Sequence, residues 1–124
     1  MAVLDLKKLD VLKNVSTAIS LFASSGYCSR VEDILERASL AMKLLKRYLG
    51  NEKDLKEIEK LYGLIQEYAN SAKVYAGKTD LISEARYKEY TDLSRHVCKK
   101  IAEKLWELRR RIEEEVIIKN CRRC

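Results

Sequence analysis

A chain of 124 residues without a single proline lacks the strongest internal helix breaker, which leaves its four glycines as the main punctuation. Gly26, Gly50 and Gly77 each fall where a periodic apolar pattern stops, the place of a helix C′ residue, and a start signal follows each. Ser29 and Glu32 read as a capping box, in which each side chain satisfies the other's backbone amide. Asn51 follows Gly50, with Asp54 at the third helical position. Thr79 and Asp80 follow Gly77, and Glu84 in the first turn complements the helix dipole. Gly63 lies inside a helical pattern and is expected to permit close packing.

This punctuation predicts four helices, at about 5–24, 30–49, 52–76 and 80–118, in one helical domain with a basic tail over 119–124. Leu12, Val15, Ile19 and Phe22 mark the apolar face of the first. Val31, Leu35, Ala38, Met42, Leu45 and Leu49 mark the second. In the third, Leu55, Ile58, Tyr62, Ile65, Ala69, Ala72 and Ala76 alternate +3 and +4 without a slip. The fourth is expected to bury Leu93, Val97, Ile101, Leu105, Leu108 and Ile112. No segment alternates with period two for long enough to argue a strand. Short connections make consecutive helices antiparallel, so the expected fold is an all-α, four-helix up-down bundle. Its last helix is too long for it: 39 residues span about 58 Å, against about 30 Å for each of the first two. The end carrying Ile112, Val116, Ile117 and Ile118 is expected either to overhang, as a partner site or a frayed tail, or to bend back at a break.

At 47% hydrophobic and 35% charged residues, the chain is neither disordered in character nor apolar enough to span a bilayer. Lys7, Lys8 and Asp10 interrupt the only apolar run near the start, so a signal peptide is not expected and a cytoplasmic protein without a membrane partner is. The net charge is +6, and residues 78–124 hold thirteen cations against nine carboxylates. That asymmetry favours an anionic partner such as nucleic acid. Abundant Lys and Glu with one glutamine, Gln66, resemble a thermophile composition.

Catalytic constellations are hard to build from these residues. The one histidine, His96, is two residues from Cys98, and on a helix such neighbours project about 200° apart. The arginine that helical ribonucleases separate from their histidine by four to six intervening residues is missing, since Glu89 to Thr91 occupy those positions. Cys121 and Cys124 form a C-x-x-C, but zinc needs two more ligands, and Cys28, His96 and Cys98 are ill placed to supply them. No glycine-rich phosphate loop occurs. Acidic clusters such as Glu113-Glu114-Glu115 read as solvated helix faces. The expectation is a non-enzymatic chain without cofactor or metal.

One constellation remains. At 100° per residue, Lys88, Arg95, Lys99, Trp106 and Arg110 fall within about 60° of one another on the fourth helix, opposite its core residues. An aromatic interleaved with cations is how non-specific single-strand binders hold a nucleic-acid backbone. The same set also suits a protein–protein anchor. Asp92 and Glu103 lie near the stripe and dilute it, while Arg109, Arg111, Arg122 and Arg123 extend positive potential towards the tail.

In length, basicity, helical bundling and lack of an active site, the chain resembles the small all-helical subunits of archaeal CRISPR effector complexes of the type I-A kind. The segment Ser24 to Ile34 adds to the resemblance, with Tyr27 in a loop leading into Arg30, Glu32 and Asp33. Some members also carry a small β element, for which this sequence offers no strand. The resemblance implies a multi-copy, non-catalytic scaffold that touches single-stranded DNA or an RNA–DNA duplex through phosphates, beside other effector-complex subunits. It assigns no site residue. The alternatives are a DNA-coating structural protein of an archaeal virus and a helical protein–protein adaptor.

Overall fold

A computed structural model describes residues 6–50 and 53–121, with side chains as far as Glu115. They form four helices: α1 (Leu6–Ser25), α2 (Val31–Leu49), α3 (Lys53–Tyr75) and α4 (Leu81–Cys121). The fold is all-α, with no strand among the described residues. Boundaries fall within one residue of expectation except at the end of α4, which runs on to Cys121, so residues 119–121 are helix rather than tail. Asn51, Arg122, Arg123 and Cys124 lie outside the described residues.

The stops and starts have mixed causes. Gly50 and Gly77 adopt φ of 60° and 77°, where a side chain would be strained. Asp80 caps α4: the Ser83 N–H donates to its Oδ2 at 3.0 Å, and the Glu84 N–H donates to its backbone oxygen at 3.0 Å. These bonds from Ser83 hold the Asp80 carboxyl below its ordinary value. The capping box expected at Ser29 does not form. The N-cap of α2 is Arg30, extended at φ −108° and ψ 133°, without a side-chain cap. That shift moves Ser29 outside the helix and Glu32 off the third position. The Val31 N–H donates instead to the hydroxyl of Tyr87, at 3.3 Å. Gly63 also departs from expectation, because nothing stands within 4 Å of where its Cβ would be.

Pairs along the helices set the topology. Lys8 meets Glu115 at 3.0 Å, Ser16 meets Arg109 at 2.7 Å, and the Cys28 carbonyl meets Arg95 at 3.1 Å, so α1 runs antiparallel to α4. Asp54 meets Arg111 at 2.9 Å, Glu57 meets Lys104 at 3.3 Å, and Tyr75 stacks on Tyr90 at 6.2 Å, so α3 also runs antiparallel to α4. The up-down bundle follows, with α2 diagonal to α4.

The two registers are staggered, and that absorbs the length of α4. Helix α3 lies beside its middle, while α1 continues along it to Glu115. Ile112, expected both on the core face and at the start of an overhang, is half-buried and packs against the core. The side chains of Val116, Ile117 and Ile118 lie outside the described residues. Among the described residues, the exposed apolar end of α4 is its start, where Leu81 is 83% and Ile82 73% exposed.

The main core joins Val15, Ile19 and Phe22 of α1 to Ile34, Met42 and Leu45 of α2, Ile58 and Ile65 of α3, and Ile101 and Leu105 of α4. Burying a side chain of this size contributes roughly 1.5–3 kcal/mol. A smaller cluster of Val31, Ala69 and Ala72, flanked by Tyr87 and Tyr90, closes the end near the start of α4. There the inner face of α4 is made of Ser83, Thr91 and Ser94 rather than Leu93, which is half-exposed. Thr91 and Ser94 donate to the carbonyls four residues back, at 2.7 and 3.0 Å, so neither hydroxyl is buried unsatisfied. Ala76, expected on the seam of α3, is exposed.

Candidate nucleic-acid interface

The rod that should carry the cationic stripe is one unbroken helix, because α4 contains neither proline nor glycine. Trp106 projects to solvent, 55% exposed, although it is the largest apolar side chain of the helix. Lys88, Lys99 and Arg110 are exposed as well. Among the described residues, Lys88 and Arg110 make no ion pair within 4 Å.

The stripe is not opposite the core, as expected, but on its flank. Ala102 and Thr91 are buried, yet each lies within roughly 60° of Trp106 on the helical wheel. The outward crest of α4 lies further round, at exposed His96, Glu103, Glu107 and Glu114. The small residues Thr91, Cys98 and Ala102 widen the buried face on this side, and Cys98 lies beside Ser25 at the end of α1. From Lys99 to Arg110 the stripe therefore borders the seam between α1 and α4, with Lys88 beyond the end of α1 and an acidic crest on the far side.

That position commits one of the five residues to the fold. Arg95 is half-buried; its Nη1 donates to the Cys28 carbonyl at 3.1 Å and its Nη2 pairs with Asp92. It holds the α1–α2 loop against α4. Lys99 stays exposed, but its aliphatic stem crosses Gly26, where a Cβ would stand 2.9 Å from Lys99 Cε. A side chain at position 26 would push the lysine stem aside. The Lys99 ammonium then sits 5.2 Å from the ring centre of Tyr27.

Two neighbours join the surface beyond the five expected residues: Arg109, expected only to extend its positive potential, and Tyr27, which was not expected there. Arg109 lies with its guanidinium 5.2 Å from the Trp106 ring centre, donates to Ser16 Oγ at 2.7 Å and pairs with Glu113 at 2.7 Å. Tyr27, in the α1–α2 loop, is 82% exposed. Its place after a helix-ending glycine was the available signal; its pairing with Lys99, 72 residues later, was not readable.

Elsewhere the chemistry is sparse. His96 is exposed and Cys98 buried, so they share no site. Burial, with the Cys28 thiol nearby, pushes the Cys98 thiol up to about 12. Among the described residues no three His, Cys, Asp or Glu side chains gather as metal ligands, and no helix is long and apolar enough to cross a membrane.

No protein family, curated protein or solved structure matches this chain.

Proposed function

We propose that the seam between α1 and α4 docks the sugar–phosphate backbone of a nucleic acid without reading its sequence. The chain then serves as a non-catalytic scaffold subunit in the cytoplasm, as its resemblance to small effector-complex subunits implies, beside other subunits and further copies of itself. The observation that carries the reading is the alignment of Lys88, Lys99, Trp106 and Arg110 on one unbroken helix, all exposed. From Lys88 to Arg110 the stripe extends about 33 Å, room for several phosphates. Glu103 and Glu107 on the crest repel a polyanion and confine it to the seam side.

The test is oligonucleotide binding over a range of salt. Three cations imply a log–log salt slope of about −2 for a single strand, at roughly 0.7 per neutralised phosphate. The triple variant Lys88→Glu, Lys99→Glu, Arg110→Glu should lose binding. Arg95 is left intact, because its loss would disturb the loop. Affinity unchanged in the triple variant would end the proposal.

A second reading, a protein-binding adaptor, is favoured by the exposed Leu81 and Ile82 at the other end of the same helix. It places the contact one side of Lys88 and predicts binding insensitive to the triple variant.

A further inference from the structure

The seam carries two exposed aromatic rings, each with a cation at the same distance. Lys99 Nζ stands 5.2 Å from the centre of Tyr27, and Arg109 Cζ stands 5.2 Å from the centre of Trp106. Tyr27 is tethered by its loop, since Arg95 grips the Cys28 carbonyl and Lys99 lies across Gly26. Lys99 and Trp106 are seven residues apart, so they share a face and are separated by about 10.5 Å along the helix. Tyr27 is thus tied to α4 at Lys99 and Trp106 stands about two turns further along, each ring with a cation over one of its faces.

Aromatic faces of this kind are of no use to a duplex, whose bases already cover each other's faces. They suit unstacked bases, because every base has a π-face to offer. Bases in a stacked strand repeat at about 3.4 Å, well under the two helical turns from Lys99 to Trp106, so the two platforms engage separate bases rather than clamping one. We propose that the nucleic acid held along this seam is single-stranded, with Tyr27 and Trp106 as its two base-stacking platforms; this rests on the backbone-docking reading above.

The experiment is fluorescence anisotropy with the full chain at fixed low salt, using labelled oligo-dT, oligo-U and a blunt DNA duplex. Tyr27→Ala and Trp106→Ala should each weaken both single strands by about 5- to 150-fold, which is roughly 1–3 kcal/mol per lost stack at about 1.4 kcal/mol per tenfold. Tyr27→Phe, which keeps the ring, should bind as the wild type does. Duplex affinity should be weaker than either single strand and unmoved by the alanine variants. Wild-type affinity of Tyr27→Ala for oligo-dT and oligo-U, or a duplex bound as tightly as they are, would overturn the platforms and leave backbone docking standing. Failure of all three probes to bind would remove both.

Discussion

The hydroxyl of Tyr87 accepts the backbone N–H of Val31 at 3.3 Å, so α4 caps a helix that begins 56 residues earlier. Val31 is fully buried and Arg30 offers no side-chain cap, which leaves this phenol as the partner of an otherwise orphan amide.

Tyr87→Phe keeps the ring and removes the acceptor. Stability should fall by about 1 kcal/mol, up to roughly 3 if the amide is left dry. Hydrogen exchange at Val31 should accelerate more than at Leu45 in the same helix. Equal protection of Val31 in both proteins would show that the bond contributes nothing.

Gly63 sits inside α3 with open space where a Cβ would go. Gly63→Ala should therefore raise stability by about 0.5–1 kcal/mol, through helix propensity alone. Gly77→Ala should act the other way, because its φ of 77° strains any side chain. Urea denaturation of the two variants checks both signs, and a destabilised Gly63→Ala would reveal a packing role.

Asp80 couples the start of α4 to pH. Its carboxyl is held below the ordinary 3.8 by the hydrogen bonds from Ser83, so the cap supports the folded state above that value. As pH falls below 3.8 and through the lower folded value, the support is lost. Acid titration followed by NMR should show Leu81–Glu84 fraying before the middle of α4. Asp80→Asn should abolish the difference between the two regions, and identical titrations of both proteins would refute the cap's role.

The described cysteines should differ sharply in reactivity. Cys98 is fully buried with its thiol raised to about 12, whereas Cys28 is only half-buried. Iodoacetamide at pH 8, read by peptide mapping, should label Cys28 in the native protein and Cys98 only on unfolding. Because burial favours the neutral thiol, stability should also decline as pH rises above 9.0 towards 12, and less so in Cys98→Ala. Rapid native labelling of Cys98 would contradict its placement.

Much of the candidate surface was legible because a helical wheel needs only the sequence. Lys88, Lys99, Trp106 and Arg110 share an exposed line as the 100° spacing requires. Arg95 fits the same wheel but was drawn into the fold by the Cys28 carbonyl, and nothing local to residue 95 announces that partner. Tyr27 was missed for the converse reason, since its cation arrives from another helix.

The residues alone determined the four helices, their near-exact limits and their alternating direction. Proline absence, glycine stops and 3-4 apolar spacing act over a turn or two, and short connections permit only antiparallel neighbours. Tertiary structure decided how far α1 and α3 slide along α4, and hence which side of α4 turns inward. Periodicity measures angles between side chains on one helix, whereas burial depends on where other helices stand. That is why Thr91, Ser94 and Cys98 are buried, Ile112 is covered, α2 is capped from a distance, and the cationic stripe lies beside a seam instead of on the crest.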